Sequence, residues 1–358
     1  MAKVLLGMSG GVDSTVSAAL LKAAGHEVCG ITFIMHGAGN DPEDCTLSDG
    51  ARRAAREVGI PLVVKDLRPL FLEKVITPFA DAYFSGTTPN PCVLCNANIK
   101  FPEMLRYADE NGFDFIATGH YASLTDIDGT LYISAAGDKA KDQTYFLYML
   151  GQEVLSRLIL PLSGLSKDYV RRIASEKGLT CAAAGDSQDV CFIPDGDHAA
   201  YLSSLRPGSL KEGNFTDTEG NILGRHRGCA AYTVGQRKGL GIASDAPLFV
   251  QKIDPVSNTV VLCRSEELFR DRINVFDCTF PSGKIPDAPF RADVRIRYTR
   301  RSASALVIPS PDNTAQVIFD EPQRAPAPGQ SAVFFLPDTR GGISDIKQYV
   351  FGGGIIAG

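Results

Sequence analysis

Val4-Leu5-Leu6-Gly7-Met8-Ser9-Gly10-Gly11-Val12-Asp13-Ser14, close to the amino terminus, decides the reading of the fold. The apolar run Val4–Leu6 is broken by Gly7 and then by Ser9-Gly10-Gly11. Beyond Asp13-Ser14 the apolar residues fall at Val16, Ala19, Leu20 and Ala23, a helical spacing. The order predicts a buried strand, a tight glycine turn and a helix N-terminus. Backbone N–H groups at such a terminus point outward without intrahelical partners, and the helix dipole favours an anion there. Adjacent glycines let the main chain approach a phosphate that a Cβ would hold off. The loop lacks the Lys-Ser/Thr ending of a Walker A sequence and the third glycine of a dinucleotide fingerprint, so neither fits. The plainer alternative is a helix merely capped by Asp13 or Ser14.

A chain of 358 residues exceeds one ordinary core, so two or three domains are expected. Hydrophobic residues at 44% and charged residues at 22% exclude wholesale disorder. No run of eighteen apolar residues occurs, and the opening segment turns straight into the glycine loop, which points to a cytoplasmic protein without a membrane span. Nine irregularly spaced cysteines do not resemble a secreted disulfide framework. The net charge of −5 argues against indiscriminate nucleic-acid binding, but Arg291, Arg295, Arg297, Arg300 and Arg301 could form a local basic face.

Strands are expected at 27–34, 60–64 and 113–118, with helices at 49–58, 70–83 and 99–108 between them. This alternation predicts a parallel α/β sheet covered on both faces, with ligands beyond the carboxyl ends of its strands. Phe33 and Gly119-His120-Tyr121 fall at two further strand ends. A short helix is expected at 145–150 and an amphipathic one at 167–177. From Asp195 onward, short strands and turn residues suggest a small linking domain over 195–265 and a C-terminal β-barrel over 266–358, after a catalytic domain over 1–194.

Cys92 and Cys95 form a CxxC pair in TPNPCVLCN, just before an expected helix. There the prolines would bar an earlier helix start, and the terminus would lower a thiol pKa. No second CxxC accompanies the pair, so a structural zinc site is disfavoured. Cys191 alone reads as a buried thiol beside Val190 and Phe192, and Cys45 in a polar loop stays unassigned.

SGGVDS resembles the pyrophosphate loop of the N-type ATP pyrophosphatases, which cleave ATP between its α- and β-phosphates. GMSGGVDS, TPNPCVLCNANIKF, ATGHYA, KDQTYFLY, DSQDVCFIP, YTVGQRKGLGI, PGQSAVFF and the closing GGGII follow in order over nearly the whole chain. Together they resemble the tRNA-specific 2-thiouridylase (MnmA) family. That resemblance implies thiolation of the wobble uridine of tRNA, with ATP and Mg²⁺ as cofactors and a cysteine desulfurase or relay protein as persulfide donor, and a monomer.

It also implies ATP contacts at Gly7, Met8, Ser9, Gly10, Gly11, Val12, Asp13, Ser14, Phe33 and Gly119, with Asp13 helping to hold Mg²⁺. Cys95 falls at the nucleophile and Cys191 at the persulfide-receiving thiol. His120, Lys141, Asp142, Gln143, Arg297, Tyr298 and Gln330 fall at tRNA contacts. Many members carry Met at Phe33 and Asp at Cys92. With Cys92 present, an iron–sulfur cluster on Cys92, Cys95 and Cys191 is the alternative sulfur route. Rival readings are another carbonyl-adenylating ligase and a catalytically silent tRNA-binding protein.

Overall fold

The computed structural model describes residues 1–37, 48–183, 190–193, 196–298, 301–341 and 347–358. Cys45, Arg300 and most of the 185–194 segment lie outside these residues.

The chain opens with strand β1 (Lys3–Gly7), helix α1 (Val12–Ala23), strand β2 (Glu27–Ile34), helix α2 (Asp49–Val58) and strand β3 (Leu62–Asp66). Val4, Leu5 and Leu6 have no exposed surface, as expected of a strand covered on both faces. Strand β4 (Phe115–Ala117) and the two-residue strand β5 (Leu158–Ile159) complete a parallel five-stranded sheet of order β3-β2-β1-β4-β5. The chain runs outward from β1 through β2 to β3, then returns to lay β4 on the other side of β1. The crevice at the carboxyl ends of β1 and β4 is therefore the switch point where such sheets bind ligands.

Two long helices flank this sheet, each interrupted by one wide π turn. The first runs over 68–84, with its π turn at Leu72–Ile76. The second runs over 91–111, with its π turn at Asn96–Lys100. The second begins eight residues before the expected start. Pro91 does not bar it: proline suits the first helical position, and the Asn90 side chain accepts from the Val93 amide to cap the end. The CxxC pair thus lies inside the first turns.

A four-stranded sheet over 213–263 forms the linking region, in the order Phe249–Asp254, Thr259–Cys263, Gly213–Thr216, Ile222–His226. The carboxyl-terminal part is a closed six-stranded barrel, in which Phe269–Thr279 pairs with both Thr314–Arg324 and Lys347–Ile356. Its inner face is lined by Val294, Val307, Val317 and Phe334. These sheets bear out the expected parallel α/β fold followed by a β-barrel. One hairpin crosses the expected division. Ser123–Ile127 and Thr130–Ser134 extend the barrel sheet through a Ser134–Tyr349 bridge. The helix expected at 145–150 is instead a single 3₁₀ turn at Thr144–Phe146.

Candidate active site

At the carboxyl end of β1 the glycine loop leads into α1 with no side-chain cap: Gly11 is the N-cap, in extended backbone. Ser14 Oγ accepts from the Ser9 amide (3.3 Å) and donates to the Gly11 carbonyl (3.2 Å), bracing the turn. Asp13 does not cap the helix. Its carboxylate accepts from Lys167 Nζ at 2.7 and 2.8 Å and from the Tyr121 hydroxyl at 2.8 Å. The capped-helix alternative therefore fails, and the amide-lined end of α1 stays open to an anion. Gly10 adopts φ +81°, and a Cβ there would fall 2.3 Å from the Gly50 carbonyl carbon. Gly119, at the end of β4, has its own close neighbour: a Cβ would sit 2.9 Å from the Asp13 carbonyl carbon.

A cavity of about 280 Å³ opens between these two strand ends. Gly7, Met8, Ser9, Asp13, Ser14, Phe33, Gly119, His120 and Gln143 line it together with Met35, Lys100 and Thr118. Most of the residues expected to hold nucleotide thus converge here, and two of those expected to meet tRNA join them. Gly10, Gly11 and Val12 belong to the same loop but do not line the cavity. Phe33 is half-buried and reaches both the cavity and the core. His120 Nδ1 lies 2.8 Å from Thr118 Oγ1, and burial pushes its pKa down to about 3, with the Lys100 charge adding to the effect. It is a neutral hydrogen-bonding group throughout the physiological range.

One thiol, Cys95, reaches the lining of this cavity through a neighbour. Cys95 Sγ is 3.7 Å from Met35 Sδ, and Met35 lines the cavity. Phe192, next to Cys191, packs edge-on against Phe71 and Phe79 in the hydrophobic cluster that Cys95 also joins. Cys92 and Cys191 are exposed at their contact surfaces, yet protein surrounds them at longer range and hydrates their anions poorly. Desolvation therefore raises all three thiols, Cys191 to about 11, against a smaller opposing pull from Lys100. The neighbouring thiols Cys92 and Cys95 add to the rise at Cys191. The expected lowering at a helix terminus is overturned, because burial outweighs a dipole that acts only over the first turn. Cys95 and Cys191 are both free thiols here.

Neither metal reading fits the residues as placed. Asp13 is engaged by an ammonium, which opposes a divalent cation at the same oxygens. Among the described residues no three His, Cys, Asp or Glu side chains come together to hold a metal ion, so the three thiols do not form a cluster ligand set.

The remaining expected tRNA contacts are spread more widely. Asp142 Oδ1 accepts from the Thr144 amide, and Gln143 Oε1 accepts from the Tyr121 amide. Tyr298 is exposed and packs on Phe146 at 4.5 Å between ring centroids, beside Lys141 and Asp142. Arg297 donates to the Val234 and Ala325 carbonyls, tying the linking region to the barrel. Gln330 Nε2 donates to the Thr88 and Pro89 carbonyls, 2.9 and 3.1 Å away, and so grips the approach to the CxxC helix. The expected basic face is thinner than the sequence suggests: Arg291 pairs with Asp320, and Arg295 lies over the Phe335 ring.

Sequence reasoning missed Lys100 and Lys167. Lys167 lies 154 positions from the carboxylate it meets, and no local pattern connects them. Lys100 stands five residues after Cys95, on different faces of an ordinary α-helix; the π turn between them alters that phase.

Comparison with known proteins follows the same three-part layout. Residues 2–195 match the family described as tRNA methyl transferase HUP domain, 201–264 the tRNA methyl transferase PRC-barrel domain, and 270–356 the aminomethyltransferase beta-barrel domain. A protein of Clostridium perfringens named tRNA-specific 2-thiouridylase MnmA is 42% identical over 99% of this chain and 98% of its own. One of the same name from Syntrophotalea carbinolica is 44% identical over 99% and 98%. Among solved structures, a 4-thiouridine synthetase–RNA complex with bound ATP is 21% identical, covers 58% of this chain and 51% of that one, and has a TM-score of 0.38.

Proposed function

Because this chain belongs to the tRNA-specific 2-thiouridylase family, we propose that it is a sulfurtransferase that thiolates the 2-position of the wobble uridine of tRNA with ATP. The observation that carries this reading is an uncapped glycine loop at a cavity whose lining residue Met35 is touched by Cys95, with Cys92 and Cys191 near enough to Cys95 for their charges to interact. An anion site alone would serve any nucleotide enzyme. Paired thiols beside it call for sulfur chemistry, which neither a carbonyl-amidating ligase nor a silent binding protein needs.

In this reading the open amides of the loop hold the β- and γ-phosphates as the uridine 2-oxygen attacks the α-phosphorus. A P–O bond forms, the bridging P–O bond breaks, and pyrophosphate leaves. The terminal sulfur of a persulfide on Cys191 then attacks C2; the C–S bond forms and the C–O electron pair departs with AMP. The Cys95 thiolate attacks Cys191 Sγ, so the S–S pair passes to the thiocarbonyl and a Cys95–Cys191 disulfide forms. An external thiol reductant returns both cysteines to thiols. Neutral His120, held by Thr118, donates or accepts a hydrogen bond without carrying charge into the cavity. The uridine must leave its stack to reach this depth.

The test combines the enzyme, unmodified tRNA, ATP and a small-molecule persulfide, with mass spectrometry of wobble nucleosides. Wild type should yield 2-thiouridine with one pyrophosphate per product. Cys191→Ser should release pyrophosphate yet yield none, and full thiolation by that variant would overturn the assignment.

A further inference from the structure

We propose that Lys100 is a further catalytic residue of this reaction, one ammonium placed to neutralise both the incoming persulfide sulfur and the departing AMP phosphate. The inference rests on the sulfur-transfer reading above. Lys100 lines the cavity between the two strand ends, where the other ionisable lining groups are the engaged Asp13 and the neutral His120. It is the cation of that lining.

Its head group is held in place. Nζ donates to Asn96 Oδ1 at 3.0 Å, its one hydrogen bond among the described residues, and Asn96 in turn donates to the Phe146 carbonyl at 3.0 Å. Asn96 is buried, so the anchor is rigid, while the ammonium retains protons for a substrate. Both residues lie in the π turn that follows Cys95, and wide turns of this kind recur at functional sites. Lys100 lines the nucleotide cavity, and its charge also acts on Cys92, Cys95 and Cys191.

The chemistry needs such a group. A persulfide is an anion, and the bond it displaces ends on a phosphoryl oxygen that is also anionic. The two repel as the C–S bond forms and the C–O bond breaks, and their repulsion grows as the effective dielectric falls below that of bulk water. A fixed cation between them acts on the transition state without reorganising, as donors in an oxyanion hole do.

Lys100→Met and Lys100→Arg should be compared in full-length enzyme with unmodified tRNA, ATP and a small-molecule persulfide, following pyrophosphate and 2-thiouridine in a single turnover. Lys100→Met should slow 2-thiouridine formation about 10²- to 10³-fold, the loss typical for one preorganised donor. KM for ATP should stay unchanged, since the interaction matures only in the transition state. Lys100→Arg, which keeps the charge, should recover most of the rate. Wild-type thiolation by Lys100→Met overturns the proposal, and so does an Arg variant as slow as the Met variant while both keep the wild-type unfolding midpoint. Wild-type enzyme that forms no 2-thiouridine overturns the sulfur-transfer reading and this inference with it.

Discussion

Replacing Gly119 with alanine sets a methyl carbon 2.9 Å from the Asp13 carbonyl carbon and 3.0 Å from the Ser14 amide nitrogen. Relaxed contacts between such atoms begin at about 3.5 Å, so the end of β4 and the start of α1 must part by about half an ångström. Neither neighbour is the tip of a flexible side chain; both are main chain of the anion loop. Overpacking of this sort costs about 1–3 kcal/mol of stability. The displaced atoms are also those proposed to position the phosphates, and a misplacement of about half an ångström should slow adenylation by on the order of tenfold. Gly151→Ala is the control: its backbone is extended, at φ −90° and ψ 177°, with nothing within 4 Å of a new Cβ. Urea unfolding and ATP-dependent pyrophosphate release read the two effects separately. A Gly119→Ala enzyme matching Gly151→Ala in both assays would refute the claim that the end of β4 abuts the start of α1 through this position.

Two further outcomes follow from the site. Asp13→Asn removes the carboxylate that receives Lys167 and Tyr121, freeing the start of α1 from its tie to the helix Lys167–Glu176; pyrophosphate release should fall by an order of magnitude or more, roughly, and unchanged release would dismiss the tie as incidental. Cys191, with its thiol pushed up to about 11, should be alkylated by iodoacetamide in the resting enzyme along a pH curve with its midpoint near 11, read by peptide mass spectrometry. The sign for stability follows: favouring the neutral thiol stabilises the fold below the ordinary value of 9.0, and that contribution is lost as pH climbs from 9.0 to about 11. A labelling midpoint at or below 9.0 would contradict it.

The first strand, loop and helix were legible because strand, glycines and helical spacing are adjacent in the chain and depend on no distant partner. Gly119 and His120 could be placed from the strand-end rule alone. Other features lacked a local signal. Tyr145, Leu147, Tyr148 and Leu150 are buried on all sides, so their apolar run carries no helical phase and reads as helix by composition only. The hairpin at 123–134 takes its place from a strand more than 200 positions later. Lys100 was hidden because counting at 3.6 residues per turn puts it on the wrong face, and a π turn leaves no mark in hydropathy. Proline misled in the other direction: Pro91 starts the CxxC helix where it was expected to delay one.

The barrel turn at 327–331 fastens the segment ahead of the CxxC helix. The Thr88 amide donates to the Pro328 carbonyl, Gln330 holds the carbonyls of Thr88 and Pro89, and the Tyr145 hydroxyl donates to the Ser331 carbonyl. A polypeptide emerging from the ribosome has its cysteines long before it has this turn. Until its final strands are synthesised and closed, the helix bearing Cys92 and Cys95 lacks its mooring, so a half-made chain carries thiols without yet presenting them for sulfur handling.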